Sequence, residues 1–229
     1  MKIKSLVAGV FLCFLLLPAH AQNDNPFTIT PIRVSHESPV SLHVGAVLGA
    51  NASMLNAKST GLPSYGFRFG LDAGVFANVR FLPRNDFSNA DNGLLAIQPE
   101  VHFSMMGGNA KNSNLGLSYI TFPIMIQVYP TQSLYVEVGP MPALNIGHTP
   151  NVIVAGNSEF HLDNLKANDL LVAAGVGYSF GNFSVGARYC HGLSKLAKNM
   201  PWKNQVIQVR VSYGFKLGGG TKKAVSIDY

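Results

Sequence analysis

The stretch from Leu115 to Asn145 reads LGLSYITFPIMIQVYPTQSLYVEVGPMPALN, two alternating arms with only Thr131, Gln132 and Ser133 between Pro130 and Leu134. In the first arm Ile120, Phe122, Ile124, Ile126 and Val128 fall on one parity. Tyr119, Thr121, Pro123, Met125, Gln127 and Tyr129 fall on the other. In the second arm Leu134, Val136, Val138 and Leu144 oppose Tyr135, Glu137, Met141 and Asn145. Side chains alternate faces along a strand, so each arm has one wholly apolar face and one mixed polar face. A soluble sheet alternates too. What turns the reading towards lipid is recurrence: the pattern returns across eight segments behind a secretion signal, with ionisable residues kept to the polar parity.

Residues 1–21 form that signal. Lys2 and Lys4 make a basic start, and Leu6 to Leu17 is an apolar run shorter than the ~20 residues a helical span needs. Ala19-His20-Ala21 is a small-x-small cleavage site, so the mature chain is expected to begin at Gln22. No Cys follows it, which argues against a lipoprotein. Cys13 leaves with the signal and Cys190 remains alone, excluding an intramolecular disulfide. Residues 22–40, polar and broken by prolines, read as a periplasmic lead-in to a barrel over residues 41–217, with a polar tail at 218–229.

Without the signal no run of 18 apolar residues remains, so the chain either leaves the membrane or crosses it as strands. Charged residues are 12% of the chain, below the ~25% usual for soluble domains. Removing Lys2 and Lys4 from seventeen basic residues leaves fifteen against eleven acidic ones. That surplus is scattered, with no basic helix or Lys/Arg run, and no nucleic-acid partner is expected.

The eight segments are as follows. The first runs from about Leu42 to Asn51, with Leu42, Val44, Ala46 and Leu48 opposite His43, Gly45, Gly49 and Asn51. The second, Tyr65 to Phe81, sets an unbroken row from Phe67 to Phe81 against Arg68, Gly70, Asp72, Gly74, Asn78 and Arg80. The third, Leu94 to about Met106, sets Leu95, Ile97, Val101, Phe103 and Met105 against Gln98, Glu100, His102 and Ser104. The opening hairpin supplies the fourth and fifth. Leu170 to Phe180 and Phe183 to Leu193 are the sixth and seventh, joined by a tight Gly181-Asn182 turn. The eighth, Gln205 to Leu217, sets Ile207, Val209, Val211, Tyr213 and Phe215 against Gln208, Arg210, Ser212 and Gly214.

The expected fold is therefore all-β: an eight-stranded antiparallel up-and-down transmembrane β-barrel. An even strand count places both chain ends on one side. Links after strands one, three, five and seven run to about 13, 8, 24 and 11 residues, as outer loops should, whereas those after four and six are short. The link after strand two is longer than this rule asks. Aromatics support two interfacial girdles: Phe81, Tyr178, Phe180, Phe183, Tyr213 and Phe215 at the periplasmic ends, Phe67, Phe69, Phe103 and Tyr189 at the others. Pro99, Pro123, Pro140 and Pro142 lack the ladder donor, so bulges or irregular pairing are expected there.

Ala96-Ile-Gln-Pro-Glu100, Tyr119-Ile-Thr-Phe-Pro123, Tyr135-Val-Glu-Val-Gly-Pro140, Gly186-Ala-Arg-Tyr-Cys-His-Gly192 and Val211-Ser-Tyr-Gly-Phe215 occur in this order. As an ordered set, over roughly Leu42 to Leu217, they resemble the PorT-like outer-membrane β-barrel domain family of Gram-negative bacteria. The resemblance implies a small outer-membrane barrel without assigned activity. Some relatives serve a secretion and gliding apparatus. Such barrels often end on the aromatic of their last strand, whereas this chain continues, leaving Phe215 and Tyr229 as two candidate insertion aromatics.

The polar parity holds Arg68, Arg80, Arg188 and Arg210 against Asp72, Glu100 and Glu137. Eight strands enclose only enough space for side chains, and ions there must pair. A salt-bridged plug of Arg68, Asp72, Arg80, Glu100, Glu137, Arg188 and Arg210 is expected, with Glu100 and Glu137 drawing on Arg68 and on Arg188 or Arg210. An ion or proton path would need a water channel. His102, Ser104 and Asp72 suggest a hydrolase triad by type, but no strained nucleophile turn or oxyanion motif accompanies them. His148, His161, Asp163 and His191 match no compact ligand spacing. No enzyme activity, cofactor or metal is expected. The partners are outer-membrane lipid, the barrel-assembly machinery and an envelope or secretion protein. A structural, surface-display or docking barrel leads, with an export accessory as alternative. A soluble periplasmic barrel holding an apolar ligand is a further alternative, which requires the apolar parity inward and Arg68 and Arg210 outward.

Overall fold

The computed structural model describes residues 40–57, 65–81, 94–110, 113–149, 152–155, 158–161, 166–196 and 202–218. The signal at 1–21, the lead-in before Val40 and the tail beyond Gly218 lie outside the described residues. Every regular element among those described is a strand. They are β1 (Val40–Ala57), β2 (Tyr65–Phe81), β3 (Leu95–Ala110), β4 (Ser113–Thr121), β5 (Ile124–Val128) and β6 (Leu134–Thr149). β7 (Val152–Ala155), β8 (Ser158–His161), β9 (Asn168–Phe180), β10 (Phe183–Gly192) and β11 (Trp202–Gly218) follow.

Pairing is antiparallel throughout and returns on itself. β1 pairs with β2, β2 with β3, β6 with β9, β9 with β10, β10 with β11, and β11 with β1. β4 and β5 both lie between β3 and β6, so they are two pieces of one wall strand. The wall therefore has eight strands and is closed, and β7–β8 is a separate hairpin. Leu42 pairs with Gly218, so β1 begins and β11 ends at one rim, here the terminal end. The opposite rim is the loop end.

The break between β4 and β5 shows how the wall accommodates proline. Pro140 and Pro142 lie on β6 where its pairing passes from Val138–Ile126 to Ala143–Thr121, and Pro99 pairs with Ile124 just beside the gap. The four prolines thus share one defect. Bonds from Phe122 N to the Pro142 carbonyl (2.8 Å) and Glu100 N to the Pro123 carbonyl (2.9 Å) bridge it. Irregular pairing was expected at the prolines and occurs there: β3 and β6 continue as strands, but residues 139–142 have no ladder partner on β4 or β5, and Pro99 has none on β2. Between β4 and β6 a separate register shift falls at Ser118/Tyr119, nearer the loop end.

β2 has the predicted limits, and Phe180 pairs with Phe183 across a turn with Gly181 at φ 62°. A positive φ there is what a two-residue hairpin demands. Other strands reach further than the sequence suggests, β1 to Ala57, β3 to Ala110 and β11 back to Trp202. The loop-end links shrink to residues 58–64, 111–112, 150–167 and 193–201, with the β7–β8 hairpin inside the third. Main-chain pairing continues past the point where alternation stops being legible.

The outer wall is apolar. Leu48, Phe69, Leu71, Val75, Val209 and Val211 are exposed, Phe69 to 81%. Soluble proteins rarely show contiguous apolar surface of this extent. Glu100, Glu137, Arg188 and Arg210 are buried inside. The soluble-barrel reading needs the reverse arrangement, and Arg210 at 5% exposure in the lumen overturns it. The outward apolar row of β11 from Ile207 to Leu217 rises ~25 Å along an axis tilted by ~40°, matching the ~25 Å apolar band of membrane barrels. Beyond it, outward positions at the loop end turn polar at Asn56, Asn109, Asn114, Asn168, Lys203 and Gln205.

Candidate functional site

The lumen is filled in layers. Its middle is ionic. Arg188 Nη1 and Nη2 donate to Glu100 Oε2 and Oε1, each at 2.9 Å, while Arg188 Nε donates to Glu137 Oε1 at 2.9 Å. Arg210 Nη1 lies 3.2 Å from both Glu100 oxygens, and its Nη2 donates to Glu137 at 2.8 and 3.0 Å. Each guanidinium therefore bridges both carboxylates. Forked, charge-assisted bonds of this kind are the strongest that side chains make.

His102 completes the layer. Its Nδ1 is 2.7 Å from Asp72 Oδ2 and its Nε2 is 3.0 Å from Glu100 Oε2. The Nδ1 contact is a hydrogen bond, whereas Nε2 faces Glu100 without hydrogen-bond geometry. Ser104 Oγ instead accepts from Asn51 Nδ2 at 2.8 Å. The imagined triad does not form, because both nitrogens of His102 face carboxylates.

Register brings these residues to one level. Arg210 pairs with Gly49 and Gly49 with Asp72, while Arg188 and Glu137 both pair with Gly175. A β-carbon on Gly175 would fall 3.0 Å from Glu137 Oε1, and one on Gly49 3.2 Å from Arg210 Cβ. Glycine on the neighbouring strand makes room for each large ion. Likewise a β-carbon on Gly177 would meet Tyr135 Cζ at 2.2 Å.

Arg68 and Arg80 stand elsewhere. Twelve residues apart on β2, they are separated by ~40 Å at ~3.3 Å per residue. Arg68, towards the loop end, donates to the Met106 carbonyl at 2.8 Å, not to the glutamates as expected. Arg80, at the terminal end, lies over the Tyr129 ring, 3.8 Å from its centroid. Parity assigns a face, whereas height depends on position along the strand.

Towards the terminal end an amide layer adjoins the ions. Gln98 Nε2 donates to Glu100 at 2.7 Å and Gln127 Nε2 to Glu137 at 3.0 Å. Asn78 Nδ2 donates to Gln98 Oε1 at 2.8 Å and Gln127 Oε1 at 2.7 Å, and Tyr129 Oη also donates to Gln127 Oε1, at 2.8 Å. Beyond lies a cavity of about 390 Å3, reaching the Gln132–Ser133 and Gly181–Asn182 turns.

Towards the loop end the lumen becomes apolar. Leu55, Met106, Leu115, Leu117, Trp202 and Val206 are buried in one cluster with Leu196. Leu196 comes from the link after β10 and is pinned by bonds from its N to the Trp202 carbonyl (3.0 Å) and from Lys166 N to its own carbonyl (2.8 Å). One polar brace crosses this plug: Asn204 Nδ2 donates to Asp169 Oδ2 at 2.8 Å and reaches Tyr119 Oη at 3.2 Å, while Ser194 Oγ donates to Asp169 Oδ1. Sequence reasoning described the inner parity as mixed polar and did not separate this plug from it. Trp202, Leu115 and Leu117 on the inner parity were the available signal.

His148 and His191 are half-buried, the side chain of His161 is not described, and Asp163 lies outside the described residues. Among the described residues no three His, Cys, Asp or Glu side chains gather as a metal site. Cys190 is buried beside Gln208 Oε1, at 3.5 Å.

Residues 20–198 match the model of the outer membrane protein β-barrel domain family. No curated protein matches the chain. Similar solved structures include Neisserial surface protein A, 18% identical with a TM-score of 0.45, covering 78% of this chain and 100% of that one. Ail, the attachment invasion locus protein of Yersinia pestis, is 13% identical with a TM-score of 0.40, covering 76% and 98%. The N-terminal β-barrel domain of Pseudomonas aeruginosa OprF is 12% identical with a TM-score of 0.33, covering 75% and 97%.

Proposed function

The chain belongs to the outer membrane protein β-barrel domain family, and on that premise we propose that it is a closed anchor that displays its loop end to a protein partner. The observation that carries this is the filled lumen. An ionic layer and an apolar plug lie in series, so solute passage is not what the interior is built for. The polar outer surface at the loop end, with the β7–β8 hairpin, is the part available for docking. The seven-residue charge set expected from sequence narrows in this reading to Asp72, Glu100, Glu137, Arg188 and Arg210, joined by His102, as a brace that holds the wall closed. Arg68 and Arg80 support the rims. The signal at 1–21, with maturation at Gln22, delivers the barrel to the outer membrane through the assembly machinery.

An epitope inserted at residues 156–157, between β7 and β8, tests display. Antibody should label intact cells. Labelling only after the outer membrane is permeabilised would refute the orientation.

A second reading, an accessory of protein export, is supported by the ordered PorT-like motifs from Ala96 to Phe215. It predicts that deleting the chain impairs secretion and that envelope secretion proteins co-purify with it. Normal secretion in the deletion strain would remove it.

A further inference from the structure

At the loop end, the outer face of β9, β10 and β11 sets cations directly against apolar wall. We propose that this face binds the phosphate headgroup of a membrane lipid, which rests on the outer-membrane assignment and not on display to a protein partner. Lys203 alternates with Trp202 and Asn204, both buried, so its side chain faces outward. His191 pairs with Gln205, and continuing that ladder sets Leu193 beside Lys203. Leu193 N donates to the Leu170 carbonyl at 2.8 Å, which carries the row across to β9. Lys195 is exposed, and Leu196 after it is held on both sides. Its N donates to the Trp202 carbonyl at 3.0 Å, and its carbonyl accepts from Lys166 N at 2.8 Å. Main-chain bonds thus bring Lys166, Lys195 and Lys203 onto three neighbouring segments, ~5 Å from one to the next.

Among the described residues nothing compensates this charge. None of the three lysines makes a side-chain hydrogen bond or ion pair there. The four acidic side chains described, Asp72, Glu100, Glu137 and Asp169, are all buried. Asp169 is on β9 itself, but its oxygens are taken by Ser194 and Asn204. An ammonium group only donates, so the patch calls for an anion. The neighbouring wall says which kind. Leu170, Leu193 and Ile207 are exposed to 42%, 50% and 42%, and Tyr189 on the same face to 44%. Tyrosine in this position marks the headgroup level of a bilayer. A soluble anion would occupy the lysines and leave the leucines bare. A lipid covers both, with its phosphate on the ammonium groups and its chains along the apolar rows below.

The test is calorimetric titration of the purified full-length barrel in neutral micelles with dihexanoyl phosphatidic acid, dihexanoyl phosphatidylcholine and glycerol 3-phosphate. Phosphatidic acid should saturate and bind at least tenfold more tightly than either of the others. Lys203→Gln should weaken it about fivefold, the worth of one lysine at a membrane surface, and Lys195→Gln with Lys203→Gln about twenty-five-fold. Lys111→Gln, which removes a like charge from the β3–β4 link, should leave affinity unchanged. Folding of each variant is checked by the mobility of the unboiled band, and Lys195→Gln alone serves if Lys203→Gln misfolds. Equal binding of phosphatidylcholine would reduce the face to apolar contact, and equal binding of glycerol 3-phosphate would make it a soluble-phosphate site. Either result, no saturable binding, or equal losses from Lys203→Gln and Lys111→Gln would overturn the proposal. None of these results bears on whether antibody reaches the β7–β8 hairpin on cells, so the two readings fail separately.

Discussion

The membrane half of the barrel and its loop-end half wear their chemistry in opposite senses. Around Val209 and Val211 the wall is apolar outside, and the lumen at that level holds Arg188, Arg210, Glu100 and Glu137. Around Trp202 and Val206 the outward neighbours are Lys203 and Gln205, and the lumen holds leucine, methionine and tryptophan. One continuous ladder, β11, carries both patterns. Lipid can accept the apolar face, so the inside is free to be ionic. Above the bilayer the outside meets water, and the wall must bury its apolar side chains inward as a soluble barrel does.

The largest effects should come from breaking either filling. Glu137→Ala leaves two guanidinium groups short of a carboxylate, and removing one partner of a buried pair costs ~3–5 kcal/mol. The folded band on unboiled gels should vanish at a clearly lower temperature. Removing Glu137 and Arg188 together should cost less than the two single changes summed, because neither charge is then stranded. In the other half Trp202→Ala should cost a similar ~3–5 kcal/mol, through a cavity in place of an unpaired ion. Trp202→Ala with Glu137→Ala should be nearer to additive, if the two halves are independent. Strong coupling between them would contradict the division.

A smaller effect sharpens the boundary. Val209→Arg places a charge on the lipid face and should cost ~2–4 kcal/mol in folding into bilayers. Gln205→Arg, four residues along the same outward row, should fall within ~0.5 kcal/mol of the parent. Equal costs at the two positions would mean that the bilayer reaches the loop-end rim.

Much of this was legible because a strand's period is two and lipid enforces it strictly. β2 was readable to its last residue, Gly181-Asn182 declared its own turn, and every outward residue assigned on β2 and β11 faces outward. What was not legible depends on height and register. Arg68, Asp72 and Arg80 share a parity, but only Asp72 lies level with His102 and Glu100, since Arg68 and Arg80 are drawn to opposite rims. His102 was grouped with Asp72 and Ser104 by type; the Asp72 contact forms, whereas its second neighbour is Glu100, two residues away on the same face, and not Ser104. The four prolines warned of irregular pairing without showing that they meet at one gap. The apolar plug was hidden because a mixed polar inner face does not show at which height its apolar members gather.

The most direct test of the closed lumen is single-molecule conductance of the purified barrel in planar bilayers. The account predicts no stable ion current from the wild-type protein, and from Glu137→Ala a loss of thermal stability. A stable wild-type current that Glu137→Ala abolishes without lowering stability would show a transport path through the ionic layer, and would contradict the account.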